Sequence, residues 1–131
     1  MIYLLDTQLL LWILFDSKRL NQSELKILND ESNEIVFSSI SIFEISLKYS
    51  IGKLELSHTT PDKIPEALQS AGYQIKEVGV EVYSTFYRLP VDIHKDPFDR
   101  LLIWEAIQNN YTLLTRDREI ERYQKYGLKV R

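Results

Sequence analysis

The chain has 131 residues, 44% of them apolar and 11% aromatic, which suits one domain of ordinary size built around a real core. Its formal net charge of −3 argues against a broad basic surface that grips nucleic acid by charge, though not against a local one. Cysteine is absent, which excludes disulfides, thiolate nucleophiles and zinc–thiolate sites, and no apolar run is long enough to suggest a membrane span.

The opening "MIYLLDTQLLLWILF" is apolar but broken by Asp6. It has no basic leader and no small-residue cleavage site, so it does not read as a signal peptide, and a cytoplasmic location is the simplest expectation. Residues 2–5, "IYLL", suit a strand buried on both faces, and "TQLLLWILF" follows as a helix. A second helix is predicted around "SELKILNDES", with Asn21 or Ser23 near its start. "EIVFSS" reads as a strand and "SISIFEISLKYSIGKL" as a helix of about four turns, with Gly52 and Lys53 near its end. "TTPDKIPEALQSAG" gives a short helix closed by Gly72, "YQIKEVG" a strand, and "VEVYSTFYRLP" a helix stopped by Pro90. "DPFDRLLIWEAIQNN" is the clearest helix and "YTLLT" the clearest late strand. "RDREIERYQKYG" reads as a short helix or turn, and "LKVR" as a final strand. Strands alternating with helices predict an α/β fold with a mostly parallel sheet, and the lack of repeats, low-complexity tracts and linkers predicts one domain over residues 1–131.

In open α/β sheets, ligands bind outside the carboxyl ends of the strands. Asp6 closes the first strand and Asp117 follows "YTLLT" by two residues, so both should face the same sheet edge. Taken singly, capping the next helix is the commoner role for either one. Glu44 is harder to dismiss, because three of its helical neighbours, Ile40, Leu47 and Ile51, are apolar. A buried carboxylate must be paired, protonated or bound to a metal, and Lys48, one turn on, offers the pairing. Asp99 also faces inward, with Leu102, Ile103 and Ala106 on its side of the helix. In "HKDPFDR", Asp96 fits the N-cap, Pro97 the first helical position and Asp99 the third, an arrangement that capping and the helix dipole explain by themselves.

The four acids acquire a second meaning if they cluster. Asp6, Glu44, Asp99 and Asp117 would then repel one another without a cation, and hard oxygen ligands favour Mg²⁺ or Mn²⁺. The two histidines, His58 and His94, match no zinc spacing. Carboxylate-held Mg²⁺ suits phosphodiester hydrolysis.

"LLDTQLLLW", "SISIFEISLKYSIGKL", "HKDPFDRLLIWEA" and "LLTRDREI" resemble, in order, the four acidic motifs of PIN-domain ribonucleases, and most of all those of VapC-type toxins from bacterial and archaeal toxin–antitoxin operons. The resemblance runs from residue 2 to about residue 130. It implies that Asp6, Glu44, Asp99 and Asp117 are the catalytic and metal-binding acids, and that Thr115 supports the last of them. Asp96 belongs to the same local pattern and is assigned mainly to capping. Related sequences often carry histidine where this chain has Gln8. The resemblance further implies a three-layer α/β/α sandwich around a mostly parallel sheet of four to five strands, Mg²⁺ or Mn²⁺ dependence and endoribonuclease activity. The partners it implies are an RNA substrate, a small cognate antitoxin that covers the site, and a second copy of the chain in a homodimer.

On this reading the acids hold one or two ions while water attacks the RNA phosphodiester in line. Arg100, Arg116 and Arg118 flank two of the acids and are candidate phosphate contacts, the last two within the locally basic C-terminal stretch of residues 116–131. An aspartate-nucleophile phosphatase would want a second aspartate two residues after the first, where this chain has "DTQ". A phospho-receiver domain would need an acidic pair there. The four glycines form neither a P-loop nor a dinucleotide fingerprint. A degenerate PIN fold used as an RNA-binding module is the non-enzymatic alternative; loss of acids would be its mark, and all four are present. Leu9, Leu11, Trp12, Phe15, Tyr83, Phe86 and Tyr87 are core by default, with some available to a partner interface.

Overall fold

The computed structural model describes residues 1–91, 93 and 96–131. Its centre is a five-stranded sheet in the order β3-β2-β1-β4-β5, with every pairing parallel. The strands are β1 (Ile2–Leu5), β2 (Glu34–Ser38), β3 (Gln74–Lys76), β4 (Thr112–Leu114) and β5 (Lys129–Val130). Parallel strands need crossovers, and helices supply them. α1 (Thr7–Phe15) and α2 (Gln22–Asn29) lead from β1 to β2, and α3 (Ser39–Ser50) and α4 (Ile64–Ser70) lead on to β3. α5 (Val80–Thr85) and α6 (Pro97–Asn109) return the chain to β4, and α7 (Arg118–Glu121) precedes β5.

The pleat sorts the apolar residues into two cores. Leu4, Val36 and Leu113 face one side, where they meet Leu102, Ile103, Ala106 and Tyr123. Tyr3, Leu5, Ile35, Phe37 and Leu114 face the other, against Leu9, Leu10, Ile45, Ile64 and Leu68. Leu4, Leu5, Val36, Phe37 and Leu113 are wholly buried. Successive residues of one strand thus pack on opposite layers, which is why "IYLL" carries no polar alternation. The result is the expected α/β/α sandwich, with the sheet parallel throughout. Among the described residues no helix is long and apolar enough to cross a membrane.

The register holds β1 centrally: Leu4 pairs with Val36 on one side and with Leu113 on the other. The carboxyl ends of β1, β2 and β4 therefore form one edge, and three chain turns leave it. Asp6 caps α1 by accepting from the Gln8 amide, Ser38 caps α3 by accepting from the Ile40 amide, and Asp117 caps α7 by accepting from the Glu119 amide. α6 runs back toward β4, so its first turn lies at the same edge.

Two predicted helices are shorter than their patterns. α3 stops at Ser50 because Gly52 takes φ 76°, its amide bonding the Tyr49 carbonyl and the Lys53 amide bonding that of Lys48. This double closure is the Schellman motif, and the left-handed residue in it favours glycine. The stretch to Pro90 forms α5 and then a tighter 3₁₀ turn over Phe86–Arg88. His94, which the sequence set aside as a zinc ligand, lies outside the described residues.

Candidate active site

A cavity of about 520 Å³ opens at this edge, and Asp6, Glu44, Asp96, Asp99 and Asp117 all line it. Four come from ends of elements, and Glu44 comes from the inward face of α3. The sequence separates Asp6 from Asp117 by most of the chain; the parallel β1–β4 pairing makes them neighbours.

Thr115 binds the two together. Its hydroxyl donates to Asp6 Oδ2 at 2.6 Å and accepts from the Asp117 amide at 3.0 Å. Asp6 Oδ1 accepts from the Gln8 amide at 2.7 Å, so both oxygens of this carboxylate are fixed in direction. Burial pushes the Asp6 carboxyl above its ordinary range; the bonds from Thr115 and Gln8 oppose this, while the charges of Glu44 and Asp117 add to it. An acid whose neighbours are acids is the electrostatic mark of a site that favours a cation.

Glu44 is buried, 5% exposed. Its Oε2 accepts from Lys48 Nζ at 2.5 Å, and its Oε1 has no hydrogen-bond partner. The salt bridge to Lys48, which the sequence set against ligation, thus occupies one oxygen of Glu44 and leaves the other unpartnered. An orphaned buried carboxylate oxygen in an acid-lined cavity is costly by itself and fits a divalent cation. The Lys48 ammonium is held in its charged form first by the hydrogen bond to Glu44, with Asp96 and Asp99 adding to the effect.

Asp96 accepts from the amides of Phe98 and Asp99 at 2.9 and 3.1 Å and so caps α6, with Pro97 at the first helical position. Asp99 occupies the third helical position, half-buried at the cavity wall. The donors around the cavity are thus hard oxygens, suited to Mg²⁺ or Mn²⁺. Among the described residues no three of the acids stand close enough to hold an ion as placed. An ion held by three of them would ask for rotamer changes in these side chains.

The arginines divide. Arg100, a candidate phosphate contact by sequence, is 5% exposed and turned inward. It donates to the carbonyls of Leu89 and Pro90 and lies 5.1 Å from the Phe86 ring centre, so it braces the segment before α6. This corrects the expectation: a guanidinium spent on buried carbonyls cannot reach RNA. Arg116 does border the cavity, but Glu24 takes its Nε at 2.7 Å and its Nη2 at 2.6 Å, and its Cζ lies 4.6 Å from the Trp12 ring centre. Arg118 is exposed and lines a neighbouring cleft instead.

Sequence reasoning left Lys53, Trp12 and Glu24 out of the site. Lys53 reaches the cavity because the Schellman turn folds it there. The Glu24–Arg116 pair spans the fold; its one local signal was Asn21 three residues before Glu24, which indeed form a capping box. Of the aromatics expected in the core, Phe15, Tyr83 and Tyr87 are 42%, 49% and 76% exposed.

Comparison with known proteins agrees with the motifs. The chain is 26% identical to ribonuclease VapC22 of Mycobacterium tuberculosis (strain ATCC 25618 / H37Rv) over 125 residues, covering 92% of this chain and 91% of the relative. Its fold is similar to that in the crystal structure of VapBC2 from Rickettsia felis bound to a DNA fragment from their promoter, with a TM-score of 0.70 at 20% identity, covering 100% of this chain and 98% of the other. It is likewise similar to VapBC-1 from nontypeable Haemophilus influenzae, with a TM-score of 0.67 at 16% identity, covering 100% and 97%. A family model described as the PIN domain matches residues 3–126, nearly the whole chain, and the chain belongs to that family.

Proposed function

We propose that the chain is a divalent-metal-dependent endoribonuclease whose catalytic and metal-binding acids are Asp6, Glu44, Asp99 and Asp117. The observation that carries this reading is the meeting of these four acids on one cavity, with a buried Glu44 oxygen left without a partner. Mg²⁺ or Mn²⁺, when bound, supplies the Lewis acidity that activates water and neutralises charge on the phosphoryl group. Thr115 ties the Asp6 carboxylate to the Asp117 backbone, and each of the two carboxylates also caps the helix that follows it. Glu44 offers Oε1 while Lys48 holds Oε2. Asp99 joins them from the first turn of α6. These acids orient the attacking water toward the phosphorus and can take its proton.

The biological reading is the toxin of a toxin–antitoxin pair, cytoplasmic, restrained by a small cognate antitoxin and acting as a homodimer. The similar proteins named as VapBC assemblies support it. So does an apolar row along α3 and its C-cap, where Phe43, Leu47 and Ile51 are 61%, 37% and 57% exposed.

Cleavage of RNA by the purified chain in Mg²⁺, abolished by EDTA, is the test. Asp6→Asn should lower the rate by about 100-fold or more while leaving the circular dichroism spectrum unchanged. Full activity in that variant would sink the assignment.

A further inference from the structure

Beside the acid cavity lies a second cleft of about 430 Å³, and Arg116 borders both. The two differ in charge. The first carries the acids described above. The second is walled by Arg118 and Arg131, with Ser23 and Asn21 on the α2 side. Both arginines are exposed, and among the described residues neither makes an ion pair. Glu24 lies there too, but its charge is engaged by Arg116, and Glu121 is outnumbered.

The cleft is anchored rather than loose. The Arg131 amide donates to the Leu113 carbonyl at 2.9 Å and its main-chain oxygen accepts from the Thr115 amide at 3.2 Å. Arg131 is thus fixed to the turn that carries Asp117. Arg116, clamped by Glu24 and stacked on Trp12, forms a rigid post between cavity and cleft. The Asn21 side-chain oxygen is used in capping α2, which leaves its amide N–H groups as donors on the cleft wall.

We propose that this cleft holds the sugar–phosphate backbone of single-stranded RNA next to the bond that is cut, with Arg118 and Arg131 as the phosphate contacts. This rests on the ribonuclease reading and adds the path of the substrate to it. A chain of net charge −3, cutting a polyanion in an acid-lined cavity, needs cations placed where the flanking phosphates pass. The cleft supplies two such guanidinium groups beside the turn that carries Asp117. It reads phosphate and presents no base-specific wall, so its contribution is affinity rather than sequence choice.

The test uses a fluorescently labelled single-stranded RNA oligonucleotide in EDTA, where no cleavage occurs, and follows anisotropy. The double variant Arg118→Glu with Arg131→Glu should bind about tenfold more weakly. Its plot of log affinity against log salt should be shallower by about 1.4, at about 0.7 for each phosphate no longer held. Arg118→Gln with Arg131→Gln repeats the measurement without charge reversal. In Mg²⁺ the double variant should show its loss as a raised KM on the long RNA, and far less loss on a dinucleotide, which carries only the scissile phosphate. Unchanged affinity and salt slope, or an equal loss on the dinucleotide, would overturn the proposal. Poly-glutamate that binds the wild type as tightly as RNA, and loses binding in the variant, would overturn it too, in favour of an acidic protein segment. Failure of the wild type to cleave any RNA would instead strike the ribonuclease reading, since the EDTA binding arm still reports on the cleft.

Discussion

Glu105 provides the sharpest stability test. It lies on α6 with 1% of its surface exposed, one of its oxygens, Oε1, has no hydrogen-bond partner, and it stands apart from the acid cavity. Burial pushes its carboxyl from an ordinary 4.5 up to about 7, against the opposing effect of a hydrogen bond with Ser38. The folded state therefore favours the protonated acid. Stability is full below the unfolded value, falls as pH rises toward about 7, and levels above it. Integrated between pH 5 and pH 8, this one group removes about 2–3 kcal/mol. Glu105→Gln keeps the shape and cannot ionise. Urea unfolding followed by circular dichroism at pH 5 and pH 8 should show the variant losing about 2–3 kcal/mol less than the wild type across that interval. Taking the difference between the two proteins cancels every other titrating group. Equal losses would refute the reasoning and mean that the carboxylate is solvated or paired in the fold.

Thr115→Val removes the hydroxyl that bonds both Asp6 and Asp117 while keeping the branched shape. Divalent-ion affinity measured by calorimetry should fall by about 10–100-fold, with unfolding free energy changed by about 1 kcal/mol. Asp96→Ala should cost about 1 kcal/mol through the lost α6 cap, seen in denaturant midpoints, whereas Asp99→Asn should lower the cleavage rate by about 100-fold with little effect on stability. The reverse pattern would exchange the roles of these two aspartates.

Most of the fold was legible because its signals are local. The runs "IYLL" and "EIVFS" carry their own burial, Gly52 marks a real end, and Asp96-Pro97 opens α6 as its residue types require. What the sequence could not show are bonds between distant segments. Arg100 looked like a surface arginine of a first turn, yet its partners are carbonyls ten and eleven residues back. Ile103 and Trp104, one turn on, were the available hint that this face turns inward. Glu24 and Arg116 meet across 92 positions, and no periodicity joins them. Glu105 has Leu101 and Leu102 on one side and Gln108 and Asn109 on the other, so its helical neighbours leave its burial undecided.

The candidate site was legible for a different reason. The sequence posed a choice for each acid, between a structural use and a chemical one, and in the geometry the structural use leaves room for the other. Asp6 caps α1 with Oδ1 and meets Thr115 with Oδ2. Asp117 caps α7 with Oδ1 while lining the cavity. Glu44 answers Lys48 with one oxygen and leaves the other unpartnered. A capped helix start fixes the rotamer of its aspartate, and a strand end fixes where that helix starts. Secondary structure thus brings the carboxylates to one sheet edge before any ion or substrate arrives, so that closing on one asks for rotamer changes and not for movement of the backbone. A capping aspartate at the carboxyl edge of a parallel sheet is therefore no weaker a candidate for chemistry because it caps. The cap is the device that holds it in place.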